Sequence, residues 1–258
     1  MHSFSGPWGW GADAVLLQYF HDEEQSRAGG AMATAQVVRE QRIVLCHVSW
    51  ETYERLLADH ENSSAPRFTY DRGALEIMSP LPRHERYKRA IESMMDAVAV
   101  ELGVEVYSLG STTFRRADLD RGFEADSCFY IQNEAIVRGK DLIDARTDPP
   151  PDLVVEIEIT HPSIPKLPIY AQFGVPEVWR YDGARLEILA LEGSEYIVST
   201  NSRAIPAITA QAVSDLLADG TGLGNSAWLR RVREWAAELG GVEETTTNSG
   251  GQTNGASE

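Results

Sequence analysis

The chain has 258 residues, 43% of them hydrophobic, so it can bury a substantial core and fits one domain with short additions better than two. Its 23 Lys and Arg against 39 Asp and Glu give a formal charge of −16, which argues against a broadly basic surface that grips nucleic acid. Two cysteines without metal-binding spacing, no N-terminal signal pattern and no apolar run of roughly 20 residues together exclude a disulfide scaffold, secretion and a membrane span, so we expect a soluble cytoplasmic protein.

The first half of the chain contains an extension and the start of the domain. Residues 1–40 mix Gly, Ala and acidic side chains with aromatics, and we interpret them as an N-terminal extension to a domain of residues 41–240. Hydrophobic periodicity and turn residues then define the elements. In order they are a helix at 48–58 capped by Ser49, a hairpin of strands 67–70 and 74–78, a helix at 82–102, a pair of strands at 104–108 and 112–116, and a strand at 124–131.

The helix at 82–102 begins with the densest group of basic residues in this acidic chain. These residues are Arg83, Arg86, Lys88 and Arg89. They are candidates for binding the phosphates of a nucleic acid, but a solvated basic helix face would look the same in sequence. His84 lies beside the apolar stripe of the helix, where a histidine is more often a packed or hydrogen-bonded residue at the edge of the core than a catalytic one.

The second half is organised around the segment from Pro149 to Asp182, which reads as strand, helix and strand. The predicted elements are strands at 152–160 and 175–181, a helix at 165–174 between them, a hairpin of strands 185–191 and 196–200, and helices at 210–218 and 227–239. Pro165 suits the first turn of the middle helix, and Gly174 suits its end. Residues 241–258 have too little apolar surface to offset the entropy of ordering, so we expect a disordered tail.

The strand at 152–160 carries an unusual set of acids. Its side chains alternate, so Leu153, Val155, Ile157 and Ile159 fall on one face while Asp152, Glu156 and Glu158 fall on the other. Neighbouring carboxylates repel each other and are costly to bury unless a cation compensates them, which favours a divalent metal ion. A solvated outer face of an antiparallel strand would also tolerate these acids, and spacing alone does not decide between the two interpretations.

Two segments together resemble a known family. PPPDLVVEIEITHPSIPKLPIYAQFGVPEVWRYDG, preceded by GFEADSCFYI, is similar to the Uma-type restriction endonucleases, a branch of the PD-(D/E)XK nuclease superfamily. The resemblance covers about residues 43–200 and includes several separated motifs in the expected order. It implies an α/β (α+β) fold with a restriction-endonuclease-like core, in which helices flank a mixed central β-sheet and antiparallel hairpins are added.

The resemblance also assigns the acids. It implies that Asp126 is the first metal ligand and Glu156 the second, with Glu158 as a further ligand of the same ion. Ala125 stands where the family usually has proline, which changes the stiffness of the backbone and leaves the carboxylate of Asp126 in place. From the residues alone, Asp126 is better interpreted as a capping residue at a turn or strand end.

The catalytic lysine is displaced in this chain. The superfamily places a lysine two residues after the second acid, where this chain has Glu158, and the resemblance implies that Lys166 of the following helix serves instead. From the residues alone, Lys166 would be an exposed lysine paired with Glu158 or Glu177. The family commonly has a histidine at the start of the long helix, which makes His84 a secondary candidate.

The predicted function is a metal-dependent endonuclease that hydrolyses DNA phosphodiester bonds. Asp126, Glu156 and Lys166 would be catalytic, and Mg²⁺, or Mn²⁺ in its place, would be the cofactor. DNA is the expected partner, with a homodimer as the expected assembly. The acidic charge and the displaced lysine keep two alternatives open: an inactive nuclease-fold module for binding or assembly, and a metal-dependent hydrolase of another phosphate ester.

Overall fold

The computed structural model describes residues 40–61, 63, 65–160 and 162–247, with side chains as far as residue 240. The predicted extension, residues 1–40, lies outside this part apart from Glu40, as do residues 248–258 of the predicted tail. The described chain forms the following elements in order: β1 (Gln41–Leu45), α1 (Trp50–Asp59), β2 (Arg67–Asp71), β3 (Ala74–Ser79), α2 (Pro82–Leu102), β4 (Tyr107–Ser108), β5 (Thr113–Arg116), β6 (Arg121–Glu124), β7 (Ser127–Tyr130), α3 (Glu134–Val137), β8 (Leu153–Ile157), α4 (Leu167–Phe173), β9 (Glu177–Tyr181), β10 (Leu186–Glu192), β11 (Glu195–Ser199), α5 (Ala210–Asp219) and α6 (Asn225–Thr247).

These strands form two sheets, and the larger one is mixed. Its order is β11-β10-β9-β8-β7-β4, and its one parallel pair, β8 with β9, is connected by α4 as a crossover helix. The smaller sheet has the order β1-β3-β2-β6-β5 and is antiparallel throughout. The predicted mixed sheet with flanking helices and antiparallel hairpins is therefore confirmed.

The mixed sheet is buried on both faces. One face packs against α2, α5 and α6 through a core that includes Met94, Met95, Leu153, Val155, Ile157, Trp179, Val213 and Trp228. The other face packs against α4 and the smaller sheet through Phe123, Cys128, Val154, Ile169, Phe173 and Val178. Each fully buried large apolar side chain contributes about 2 kcal/mol. The central strand β8 is thus fixed from both sides, and every one of its residues is buried.

Local sequence signals account for several element boundaries as predicted. The Ser49 hydroxyl caps α1 by accepting a hydrogen bond of 3.2 Å from the N–H of Thr52. The hairpin between β2 and β3 turns through Arg72 and Gly73, which have φ values of 48° and 88°. Gly174, with φ of 76°, ends α4 in the left-handed conformation.

The predicted strand at 124–131 is wrong, because the chain changes sheets within it. β6 ends at Glu124 and pairs with β2 and β5, whereas β7 starts at Ser127 and pairs with β8 in the other sheet. Ala125 and Asp126 form the step between the two sheets. The sequence also predicted β4 and β5 as a pair of strands. They belong to different sheets and do not pair with each other.

Three further details also differ from prediction. Pro165 was predicted in the first turn of α4 but precedes the helix, and Pro168 occupies that turn instead. Residues 241–247 of the predicted tail continue α6, which ends at Thr247. Strand β1 was not predicted, because it pairs with β3 along its whole length but keeps most of its side chains exposed and so shows no clear alternation. In the described part of the chain, no helix is both long and apolar enough to cross a membrane.

Candidate active site

The step between the two sheets brings Asp126 next to strand β8. Ser127 of β7 lies opposite Val155 of β8, so extending this antiparallel register by one residue places Asp126 opposite Glu156. A hydrogen bond of 2.6 Å from the N–H of Ile157 to Asp126 Oδ2 fixes this arrangement. The carboxylate of Asp126 therefore contacts the backbone of β8 beside Glu156, and both acids are buried, with exposures of 1% and 2%.

Side chains from two further elements surround the Asp126 carboxylate. His84 Nε2, at the start of α2, lies 2.9 Å from Asp126 Oδ2. Arg67, at the start of β2, forms an ion pair with Asp126 Oδ1. Its second terminal nitrogen lies 2.7 Å from Glu85 Oε1. A buried carboxylate is costly unless a cation compensates it, and here the compensation comes from the smaller sheet and the long helix.

Several polar atoms around Asp126 are buried without an aligned hydrogen bond. Among the described residues these include Asp126 Oδ1, both ring nitrogens of His84, and Nε and Nη1 of Arg67. Arg67 Nη1 is nevertheless paired with Asp126 Oδ1, and His84 Nε2 lies 2.9 Å from Asp126 Oδ2, so these atoms contact one another without the angles of a hydrogen bond. The arrangement is a buried cluster of charged and polar side chains around one carboxylate.

Glu156 is held by two donors from α4 and its N-cap. Lys166 Nζ donates a hydrogen bond of 2.7 Å to Oε2, and the hydroxyl of Tyr170 donates to Oε1. Lys166 is only 6% exposed, so it is not the exposed lysine of the alternative interpretation, and its partner is neither Glu158 nor Glu177. The burial of Glu156 likewise contradicts the solvated outer face. The structure therefore brings the predicted acid and the displaced lysine together.

The other acids of this region have different environments. Asp152 accepts hydrogen bonds from the backbone N–H groups of Ile131 and Asn133, at 2.7 Å and 3.0 Å, so its role is structural. Glu158 lies at the edge of the cluster, with Oε2 3.9 Å from Arg180 Nη1. Burial, followed by the nearby charge of Glu156, raises the pKa of Glu158. The charge of Glu156 therefore affects Glu158, although Glu158 lies at the edge of the cluster.

The predicted basic group is divided between two sides of α2. Lys88 faces the cluster: its Nζ donates to Ser111 Oγ at 2.8 Å, and Ser111 Oγ donates to the carbonyl of Asp126 at 3.0 Å. Arg86 and Arg89 instead line a cavity of 470 Å³ between α2, α5 and α6. Arg83 is exposed. The four residues therefore do not form a single surface, and Lys88 is the member that lies beside the predicted site.

Three residues of the cluster were missed in the sequence. Nothing in the sequence distinguishes Arg67 from other strand arginines, because its partner Asp126 is distant in sequence and lies in the connection between the two sheets. Glu124 was quoted within the motif and given no role, although its spacing of two residues from Asp126 was a usable signal. Burial raises the pKa of Glu124 to about 7, while Arg67 and Lys166 act in the opposite direction. Nothing local in the sequence indicates that the hydroxyl of Tyr170 donates to Glu156.

The acids at this site offer oxygen ligands of the kind that Mg²⁺ prefers, and because Mg²⁺ keeps several waters two carboxylates are enough. Among the described residues, however, no three His, Cys, Asp or Glu side chains converge on one point. The carboxylate oxygens of Asp126 contact Arg67, His84 and the N–H of Ile157, and those of Glu156 accept from Lys166 and Tyr170. A divalent cation held by Asp126 and Glu156 therefore stays a prediction.

Comparisons with known proteins identify a family and a solved structure to which the chain is similar. Residues 50–215 match the family Uma2, described as "Putative restriction endonuclease". The chain is also similar to the solved structure of "a putative nuclease belonging to DUF820 from Anabaena variabilis ATCC 29413", with 13% sequence identity and a TM-score of 0.40 over 59% of this chain and 92% of that one. No curated protein matches the chain.

Proposed function

Because the chain belongs to the Uma2 family of restriction endonucleases, we propose that it is a Mg²⁺-dependent endonuclease that hydrolyses phosphodiester bonds of DNA. One observation carries the proposal. Asp126, in the step before β7, accepts a hydrogen bond from the backbone of β8 beside Glu156, both acids are buried, and Lys166 Nζ lies 2.7 Å from Glu156. Two carboxylates and an amine are groups that can promote phosphodiester hydrolysis.

The carboxylates of Asp126 and Glu156 would hold the ion, with Glu158 as a candidate for a further ligand at the rim. Bound there, Mg²⁺ would supply charge stabilisation on the phosphate oxygens and a water of lowered pKa. Asp126 is fixed for this task by the N–H of Ile157, and Glu156 by the donors from α4. The acids are thus held in place by the protein before any ligand arrives.

Lys166 would supply the N–H donors for the reaction. An ammonium group has three N–H donors, and Glu156 accepts one of them. The other two can orient the attacking water and stabilise the negative charge that develops on the phosphorus oxygens. Because Lys166 caps α4, and Tyr170 of the same helix also holds Glu156, the position of the amine relative to the acid is fixed by one short element.

A phosphate would approach from the side of Glu85 and Lys88. Glu85 is the most exposed member of the cluster, with 46% of its side chain accessible, and it contacts Arg67 at 2.7 Å. Lys88 is 15% exposed and reaches the carbonyl of Asp126 through Ser111. The positive charge of Arg67, Lys88 and Lys166 would offset locally the overall charge of −16 that disfavours DNA.

A hydrolase of a smaller phosphate ester is the second candidate. It is favoured by the burial of Asp126, Glu156 and Lys166, none of them more than 6% exposed, and by the acidic charge of the chain. The two candidates are separated by competition. A DNA nuclease should release the chromophore only slowly from a chromogenic phosphodiester and be inhibited by duplex DNA, whereas the smaller-ester enzyme should hydrolyse the chromogenic substrate at the same rate with and without DNA.

The proposed function is tested by plasmid nicking. Purified protein with Mg²⁺ or Mn²⁺ should convert supercoiled DNA to the open circle, and EDTA or the change Glu156→Gln should abolish the conversion. Glu187→Gln is the matched control, because Glu187 of β10 forms its ion pair with Arg180 at the surface, at 2.6 Å. Activity that survives in Glu156→Gln, or a complete lack of activity with every metal and DNA form, would refute the proposal.

Nucleases that cut both strands of a duplex often pair two active sites, so we also propose that two copies of the chain pair. Sedimentation equilibrium of the full chain, with and without duplex DNA, measures the assembly directly. A dimer in either condition supports the pairing. A monomer in both, together with nicking of only one strand per binding event, contradicts it.

A further inference from the structure

The connection between β8 and α4 leads directly into Lys166. From the following side, α4 fixes Lys166, because the backbone N–H groups of Ile169 and Tyr170 donate to its carbonyl at 2.9 Å and 3.0 Å. On the preceding side the connection has few backbone donors, since Pro162 and Pro165 have no N–H. The position of the amine therefore depends on what holds the residues just before it.

An acid of the smaller sheet holds those residues. Glu76 of β3 is 1% exposed, and its Oε2 accepts hydrogen bonds from the N–H of Ser163 at 2.6 Å and from the N–H of Ile164 at 3.3 Å. Ile164 lies two positions before Lys166, and its side chain is buried in the core. Hydrogen bonds to a charged acceptor are about twice as strong as those between neutral groups. Glu76 thus fixes the backbone immediately before the amine.

Arg42 of β1 compensates the charge of Glu76 and links it to a second acid. Nη1 of Arg42 donates to Glu76 Oε1, and Nη2 donates to Glu40 Oε2, both at 2.9 Å. The same oxygen of Glu40 accepts a hydrogen bond of 2.6 Å from the hydroxyl of Thr160. The three charged side chains are at most 10% exposed. The cluster of Glu40, Arg42 and Glu76 therefore contacts the connection near its start as well as near its end.

We propose that the cluster of Glu40, Arg42 and Glu76 positions Lys166 for the reaction by holding the connection so that Nζ stays on Glu156. This inference rests on the proposed function. Glu76 is a positioning residue, because it acts through the backbone before Lys166 and not by contact with the substrate. The side chain of lysine has a flexible stem of four carbons, so a shift of its backbone moves the ammonium group away from the acid.

A second buried glutamate provides a matched control. Glu177 of β9 is 0% exposed and accepts hydrogen bonds from the backbone N–H groups of Arg203 and Ala204 and, at 2.7 Å, from the hydroxyl of Ser202. These three residues lie between β11 and α5, so the segment that Glu177 holds does not lead to Lys166. The two acids make the same kind of contact and differ in the segment that they fix.

The test combines nicking rates with urea denaturation of the full chain. We expect Glu76→Ala to slow plasmid nicking at least about tenfold at saturating Mn²⁺ and DNA, with the Kd values for both unchanged, because a misplaced catalytic group reduces the rate and not the binding. Glu177→Ala should be destabilised too, but should nick at the wild-type rate. Lys166→Met should lower the free energy of unfolding less in Glu76→Ala than in wild type, since the contact that it removes is already loosened. In Glu177→Ala it should cost as much as in wild type.

The outcomes separate this inference from the proposed function. A wild-type nicking rate in Glu76→Ala, or equal slowing in Glu177→Ala, overturns the positioning role and leaves the nuclease proposal intact. Additive losses of stability for Glu76→Ala and Lys166→Met also overturn it, because Glu76 would then not act through the amine. If Glu76→Ala does not fold, Glu76→Gln must show the same slowing and the same lack of additivity, since a neutral amide is the weaker acceptor. If wild type does not nick DNA, the proposed function is wrong, and the urea comparison alone decides whether the cluster holds Lys166.

Discussion

Lys166 Nζ donates a hydrogen bond of 2.7 Å to Glu156 Oε2, across ten positions of sequence and between two almost fully buried side chains. The position two residues after Glu156, where the superfamily has its lysine, is taken by Glu158. In this chain the acid pairs with an amine at the N-cap position of α4 and not with one on its own strand. This relationship makes the chemistry of Lys166 testable apart from that of the acids.

Replacement of Lys166 by Met should slow the reaction without removing the metal. Loss of the proton donor should reduce the nicking rate by about 10²–10⁴-fold, the usual contribution of general acid or base catalysis, whereas the Kd for Mn²⁺ should change little. Glu156 would then lack its cation, so the variant should also lose about 3–5 kcal/mol of stability. Lys140→Met, at a surface lysine paired with Asp148, should affect neither property. A Lys166→Met enzyme of full activity would remove the amine from the mechanism.

Replacement of Tyr170 by Phe should destabilise the protein more than an ordinary loss of a tyrosine hydroxyl. The hydroxyl of Tyr170 donates to the charged Glu156, and such hydrogen bonds contribute about 1.5–3 kcal/mol. Tyr130, also fully buried, donates to the neutral carbonyl of Pro149 at 3.1 Å, and Tyr130→Phe should cost about 1 kcal/mol. Urea denaturation of both variants measures the difference. Equal losses would mean that Tyr170 does not hold Glu156.

The buried acid Glu124 should make stability depend on pH. Burial raises its pKa from 4.5 to about 7. The unfolded chain loses this proton near pH 4.5 and the folded chain only near pH 7, so the folded state binds more protons in between and stability falls as pH rises. The full difference corresponds to about 3 kcal/mol. Urea denaturation in EDTA from pH 4.5 to 8 should show a steeper decline in wild type than in Glu124→Gln. Parallel profiles would contradict it.

The division of the basic group across α2 predicts unequal effects on DNA binding. Lys88 is tied through Ser111 to the backbone of Asp126, whereas Arg86 and Arg89 line the cavity on the other side. In a Glu156→Gln background, which prevents cleavage, Lys88→Gln should weaken duplex binding and lower the salt dependence by about one phosphate contact. Arg86→Gln and Arg89→Gln should have smaller effects. Fluorescence anisotropy at several salt concentrations measures duplex binding by all three variants. Equal losses of affinity would mean that DNA contacts all of these basic residues at the start of α2.

Sequence reasoning succeeded where the cause is local. The periodicity from Pro82 to Leu102 defines α2, and the residues Arg72 and Gly73 define the hairpin, because side-chain spacing and turn conformation are properties of neighbouring residues. The family motifs added Asp126, Glu156 and Lys166; Lys166 contacts Glu156 in the structure, and a site shared by all three stays a prediction. These predictions needed no knowledge of how the sheets pack.

The rest depends on contacts between distant segments. The alternation of side chains continues through Ala125, so nothing local indicates that β6 and β7 belong to different sheets. Arg67 reaches Asp126 only because β2 pairs with β6 in the smaller sheet. The basic residues of α2 look like one cluster in sequence, yet a helix turns 100° per residue and therefore separates Lys88 from Arg86.

The central claim is that Asp126 and Glu156 bind one divalent cation beside Lys166. Crystals soaked in Mn²⁺ and measured at the manganese absorption edge test it most directly, because the anomalous signal locates the ion without reference to activity. The account predicts a single peak in contact with the carboxylates of both acids and its loss in Asp126→Asn. A peak away from these two residues, or its absence at saturating Mn²⁺, would contradict the account.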